Sequence, residues 1–153
     1  MRCELLAPTR YKMEAAEKIG IITCSNAVND LDCCAAPCLN DFYNRAGKFK
    51  NYSEDSPLRL AGIISCPGCP TLAYPEKIMR KVNALAKFEL AAIHFTFCIV
   101  ALCPFLNKYM EIINEAYPDI KLVKGTHDEH YSYEEFRGRV KNAFDKNLKM
   151  NDI

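Results

Sequence analysis

Three observations predict a doubly wound α/β sheet. Four short apolar, β-branched runs recur along the chain, helical patterns separate them, and the first three are apolar almost without interruption. Near-continuous apolarity suits strands covered on both faces, as in a parallel sheet, and alternation with helices implies right-handed crossovers. The expected architecture is an open, flavodoxin-like or Rossmann-like sheet of about four parallel strands with helices on both faces.

The first predicted strand is IGIITC, Ile19–Cys24, and the second is LAGIISC, Leu60–Cys66. The third is AAIHFTFC, Ala91–Cys98. The fourth, IKLVKGTH from Ile120 to His127, carries Lys121 and Lys124 and so reads as an edge strand. Between the first two, Leu39, Phe42, Tyr43 and Ala46 share one helical face after Cys38, and Gly47 is placed to end that helix. Ile78, Met79, Val82, Leu85 and Ala86 form a second stripe. Leu106, Tyr109, Met110, Ile113 and Tyr117 form a third, stopped by Pro118. A last helix opens with Ser132 as N-cap and Glu135 three residues on, a capping box, followed by a stripe of Tyr133, Phe136, Val140, Phe144 and Leu148.

The 153 residues amount to one domain, expected over 18–153, with 1–17 as an N-terminal extension. A chain of this length buries ~68–70% of its unfolded surface, so its nine cysteines are not required merely to hold it folded. The opening MRCELLAPTRYK has no signal-peptide core, which makes a cytoplasmic setting with reduced thiols the expectation. An odd cysteine count favours metal binding or catalysis over a disulfide framework. The net charge of +1 is spread over interspersed signs, so neither a nucleic-acid stripe nor a polybasic membrane patch is present. Leu90–Leu106 is long and apolar, but His94, Thr96 and Pro104 interrupt it, and a buried strand followed by a helix explains it better than a membrane span.

The four predicted strands end on Cys24, Cys66, Cys98 and His127. In an open parallel sheet the carboxyl ends share one edge, where ligands bind. Cys69 and Cys103 follow closely in the loops, and CCAAPC (Cys33, Cys34, Cys38) opens the first helix at the same edge. Thiolate and imidazole are the ligands of zinc and iron–sulfur centres. Free cysteine is also among the most buried residue types and often only packs, which is the reading given to Cys3. It suits SCPGCP poorly, because a Gly/Pro turn offers no apolar core to two thiols. Four strands ending on metal-type ligands likewise argue for a metal or redox site. His94 lies four residues before Cys98, about 13 Å at strand rise, and reads as a hydrogen-bonded core histidine. His130 reads as a solvated loop residue.

Other chemistries lack their parts. CSNAVND has no arginine placed to hold a phosphate beside Cys24, and no strand is followed by a G-x-G-x-x-G or Walker loop. Asp128, Glu134 and Glu135 suit capping and a solvated first turn.

Taken together, KIGIITCSN, DLDCCAAPCLNDFYNRAGKFKNY, LAGIISCPGCP, AIHFTFCIVALCP and VKGTH resemble the CGGC-domain family of predicted metal-binding proteins, over roughly Lys18 to His127. Here the naming motif is Cys66-Pro67-Gly68-Cys69; the proline fixes φ and removes one N–H that could donate to a bound sulfur or anion. The resemblance implies metal binding by Cys24, Cys66, Cys69, Cys98, Cys103 and His127, with Cys33, Cys34 and Cys38 as further candidates. Zinc is preferred because His127 is in the set. An iron–sulfur cluster on Cys66, Cys69, Cys98 and Cys103 is the alternative cofactor. The competing function is a thiol–disulfide or sulfur-handling enzyme using Cys66 and Cys69, with the first thiol activated by a helix beginning near Thr71 or Pro75.

Overall fold

The computed structural model describes residues 16–69 and 74–153. Cys3, nearly all of the N-terminal extension and the helix start near Thr71 lie outside the described residues. Four strands form one parallel sheet in the order β2-β1-β3-β4: β1 Glu17–Thr23, β2 Leu58–Ser65, β3 Ala92–Phe95 and β4 Lys121–Lys124. This is the flavodoxin-like order as far as four strands take it. The helices are α1 Ser25–Asn29, α2 Ala36–Tyr43, α3 Tyr74–Ala86, α4 Phe97–Leu102, α5 Leu106–Ala116 and α6 Tyr133–Lys146, with 3₁₀ turns at Gly47–Asn51 and Met150–Asp152.

Side-chain alternation along the strands divides the core between the two faces. Ile22, Ile93 and Phe95 point to one face, where α3 supplies Ile78, Val82 and Leu85 and α5 supplies Leu106, Tyr109 and Ile113. Ile19, Ile21 and Ala92 point to the other, against Phe42 of α2 and Phe49 of the 3₁₀ turn. A third cluster joins Leu31 to Phe97 and Ala101 of α4 and to Phe136, Val140 and Ala143 of α6. Gly20 and Gly62 are register partners on neighbouring strands, and both lie beneath Leu85. A Cβ on Gly20 would stand 2.6 Å from Leu85 Cδ2, and one on Gly62 3.1 Å from Cδ1. The paired glycines let α3 seat directly on the sheet. To bring them opposite one another the ladder shifts by one residue at Ala61, a bulge in β2.

Several elements differ from the sequence expectation. β3 ends at Phe95, and Cys98 lies in the first turn of α4 rather than at a strand end. An uninterrupted apolar run does not distinguish strand from buried helix, and Thr96, extended at φ −59° and ψ 157°, makes the change. α2 stops at Tyr43, because Arg45 turns left-handed (φ 51°) and its guanidinium binds the Ser53 and Ser56 carbonyls. Tyr43 is therefore exposed, and Ala46 and Gly47 fall outside the helix. Gly47, at φ +52°, lies against the Thr126 carbonyl and the His127 Cα, where no side chain fits. The Ser132–Glu135 capping box forms as predicted. The buried stripe of α6 is the narrower set Phe136, Val140 and Ala143, which is all that α4 and Leu31 cover; Tyr133 and Phe144 are largely exposed. Among the described residues no helix is long and apolar enough to cross a membrane.

His94 is the core histidine expected of it. It is fully buried, and its ring stacks on Phe49 at 4.5 Å. Its Nδ1–H donates to the Gly125 carbonyl (2.9 Å), so Nε2 accepts from the Tyr52 hydroxyl (2.7 Å). Burial, helped by the charge of Lys121, holds its pKa down to about 4 from 6.5. Because the folded value is the lower one, the unfolded chain binds more protons between those limits, and stability falls as pH drops through them. In chemical denaturation, His94→Gln should lower stability at neutral pH and lose on the order of 2–3 kcal/mol of the wild type's decline between pH 6.5 and about 4.

Candidate functional site

β1 and β2 run side by side to their ends, with Thr23 opposite Ser65. That last pair is closed by the Cys66 N–H, which donates to the Thr23 carbonyl (2.8 Å). Cys24 and Cys66 thus leave the sheet as neighbours, each one residue past its strand. The chain turns at once through Pro67 and Gly68; the glycine takes φ +101°, and proline followed by left-handed glycine is the signature of a type II turn. This geometry explains the glycine at that position of the motif and tolerates the proline before it.

Cys66 is the electrostatic focus. The Cys24 thiol hydrogen-bonds to its sulfur, and the backbone N–H groups of Ser25 (3.2 Å) and Gly68 donate to it as well. Lys81 of α3, whose Nζ donates to the Ser65 carbonyl (2.7 Å) and hydroxyl (3.1 Å), adds positive charge nearby. The Cys24 bond first, then the two N–H donors and Lys81, outweigh burial and bring the Cys66 pKa down to about 6. The same bond and its own burial push the Cys24 thiol upward and keep it protonated. With Pro67 in place of a glycine, the Cys66 sulfur still receives the Ser25 and Gly68 N–H groups.

Four thiols line one cavity of about 480 Å³ at this edge: Cys24, Cys66, Cys69 and Cys103. Its remaining wall is mostly apolar, with Ile99 and Leu102 of α4, Val140 of α6, and Phe105 and Phe144 among the residues around it. Cys69 is exposed and Cys103 half-buried; burial and the charge of Cys66 raise both thiols. Cys98 and His127 lie elsewhere. They line a second cavity of about 310 Å³ together with Cys33, Cys34, Cys38 and His130. Here the Thr126 hydroxyl donates to Cys38 Sγ (3.1 Å), but burial outweighs that bond and pushes Cys38 up to about 12. Cys98, paired with the Thr96 hydroxyl at 3.0 Å, is also raised by burial. His127 bonds the Asp128 carbonyl group at 3.0 Å and stacks on His130 with ring centres 5.9 Å apart.

The six residues expected to share one site are therefore divided by α4, which turns Cys98 to one cavity and Ile99 and Leu102 to the other. The all-thiol quartet expected from the sequence contained Cys98; in the structure Cys24 takes that place. Among the described residues, no three Cys, His, Asp or Glu side chains are gathered closely enough to hold a metal ion. Ser25 and Lys81 carried no signal in the sequence, since a backbone donor and a lysine on the following helix acquire meaning only through the fold.

If the Cys24 thiol is the main support of the Cys66 anion, Cys24→Ala should raise the Cys66 titration midpoint from about 6 by ~1 unit or more. Alkylation rates across pH, resolved by peptide mapping, would show it; an unchanged midpoint would assign the support to the backbone donors and Lys81.

Searches of curated proteins and of solved structures returned no match. The family described as the CGGC domain matches residues 18–127, a span from just inside β1 to the histidine beyond β4 that takes in both thiol-lined cavities' cysteines. By that match, across more than half of its length, the chain belongs to the CGGC domain family.

Proposed function

We propose that this protein binds a thiophilic metal through Cys24, Cys66, Cys69 and Cys103 at the carboxyl edge of the sheet. The observation that carries the reading is the convergence of four thiols on one cavity, one of them already favoured as thiolate. The donor set fits in kind and number: four soft sulfur ligands suit a tetrathiolate zinc ion or an iron–sulfur cluster. With His127 lining the other cavity, the reason for preferring zinc no longer applies to this set. Because the sulfurs are not drawn together into a cage, binding would require them to close, with exposed Cys69 travelling furthest. Such a centre would supply a fixed charge or an electron at the sheet edge. The chain's own residues do the rest: Ser25 and Gly68 hold the Cys66 anion, and the apolar wall limits water.

Metal analysis and an absorption spectrum on protein purified anaerobically test this. Zinc or iron bound to the wild type is expected, with loss in Cys66→Ser and Cys103→Ser and retention in Cys98→Ser and His127→Ala. Affinity should rise with pH, since Cys24, Cys69 and Cys103 must each shed a proton to bind. Protein that holds neither metal overturns the reading.

A second reading, thiol–disulfide chemistry, is favoured by the environment of Cys66 itself. An anion supported by a neighbouring thiol and two backbone donors is an activated nucleophile as well as a ligand.

A further inference from the structure

This inference rests on the second reading, thiol–disulfide chemistry, in which the motif would make Cys69 the thiol partner of Cys66. The fold provides another. Cys24 and Cys66 directly follow the last β1–β2 pair, Thr23 with Ser65, which the hydrogen bond from the Cys66 N–H to the Thr23 carbonyl closes. Neighbouring strands lie about 4.7–4.9 Å apart, inside the Cα separation of about 4.4–6.8 Å that a disulfide spans. The Cys24 thiol acts on the Cys66 sulfur more strongly than any other group, whereas Cys69 acts on it by charge alone. All three thiols line the same cavity, large enough for a small molecule, but Cys24 and Cys66 are buried at its wall while Cys69 is exposed on the turn.

We propose that Cys24 and Cys66, thiols from adjacent strands, form the redox-active pair, and that it reduces low-molecular-weight disulfides entering the 480 Å³ cavity. The Cys66 thiolate attacks one sulfur of the disulfide RSSR. A Cys66–SR bond forms, the RS–SR bond breaks, and one RS⁻ departs, taking the proton of the Cys24 thiol to become RSH. The Cys24 thiolate then attacks Cys66 Sγ, closing the Cys24–Cys66 disulfide and releasing the second thiolate. The protein loses two electrons and RSSR gains them. Ser25 and Gly68 donate to the attacking sulfur and hold it against the turn. Cys69, on this account, takes no part in the exchange.

The test uses the full chain, stripped of metal by a chelator under anaerobic conditions and treated with bis(2-hydroxyethyl) disulfide. Adducts and disulfides are located by peptide mass mapping. The unmutated protein should yield a Cys24–Cys66 disulfide, which makes the result independent of how well any variant folds. In Cys69→Ser the Cys24–Cys66 bond should still form, an outcome that exchange between Cys66 and Cys69 forbids. Cys24→Ser should stall with a mercaptoethanol adduct on Cys66, its second thiol release slowed ~10-fold or more for want of the attacking thiol. A Cys66–Cys69 disulfide in wild type, with the adduct stalling in Cys69→Ser, would overturn the Cys24 assignment and leave thiol–disulfide chemistry standing. If Cys66 takes up no adduct and joins no disulfide, thiol–disulfide chemistry at this site fails altogether.

Discussion

One hydrogen bond, from the Cys66 N–H to the Thr23 carbonyl, organises the site. It closes the last pair of the parallel ladder, Thr23 with Ser65, and so holds together the strand ends from which the two cysteines emerge. The surroundings of Cys66 are a result of that placement. Ser25 comes next after Cys24, so its N–H is brought to the Cys66 sulfur without any loop built for the purpose. The turn after Cys66 is short because Gly68 adopts a positive φ, and this brings a second N–H back onto the same sulfur. Lys81, anchored on Ser65 from α3, contributes its charge from the covered face of the sheet. The anion is thus supported first by the neighbouring Cys24 thiol and then by main-chain donors, and the main-chain part is invisible in composition.

The division of the cysteines between two cavities has a different origin. The chain after β3 becomes helical at once, and α4 lies between the two groups of thiols as a partition. Its first turn gives Phe97 to the cluster with α6 and Cys98 to the cavity shared with Cys38 and His127. Its other side gives Ile99 to the main core and the wall of the first cavity. A helix of six residues thereby sets which sulfurs can act together.

Much of this was legible in the sequence. Continuous apolar runs announced the strands, and parallel pairing placed their carboxyl ends together, so Cys24 and Cys66 were correctly brought to one edge. Ser132 and Glu135 declared their capping box through side-chain chemistry that does not depend on the rest of the fold. His94 was separable from the thiols by strand rise alone. The errors share one cause. Phe95, Thr96, Phe97 and Cys98 are equally compatible with a strand and with a buried helix, and only packing against α6 decides between them. Tyr43, Tyr133 and Phe144 have the right helical spacing for burial, yet nothing lies over them fully. Periodicity gives the direction of a side chain; the presence of a neighbour in that direction is a tertiary fact.

The glycine pair beneath Leu85 has a consequence for the chemistry above it. Gly20 precedes Cys24 by the same interval as Gly62 precedes Cys66, so one alignment of β1 with β2 serves both pairs. A slip of one residue would bring Ala61 or Ile63 opposite Gly20, turn that strand's side chains to the other face, and separate the sulfurs. It would also remove the hollow that receives Leu85, so α3 would have no seat. Hydrophobic burial therefore proofreads the thiol geometry. A chain whose two sulfurs are misaligned is also one whose core does not close, and a defective site is exposed to clearance as a folding failure before it is ever used as a faulty protein.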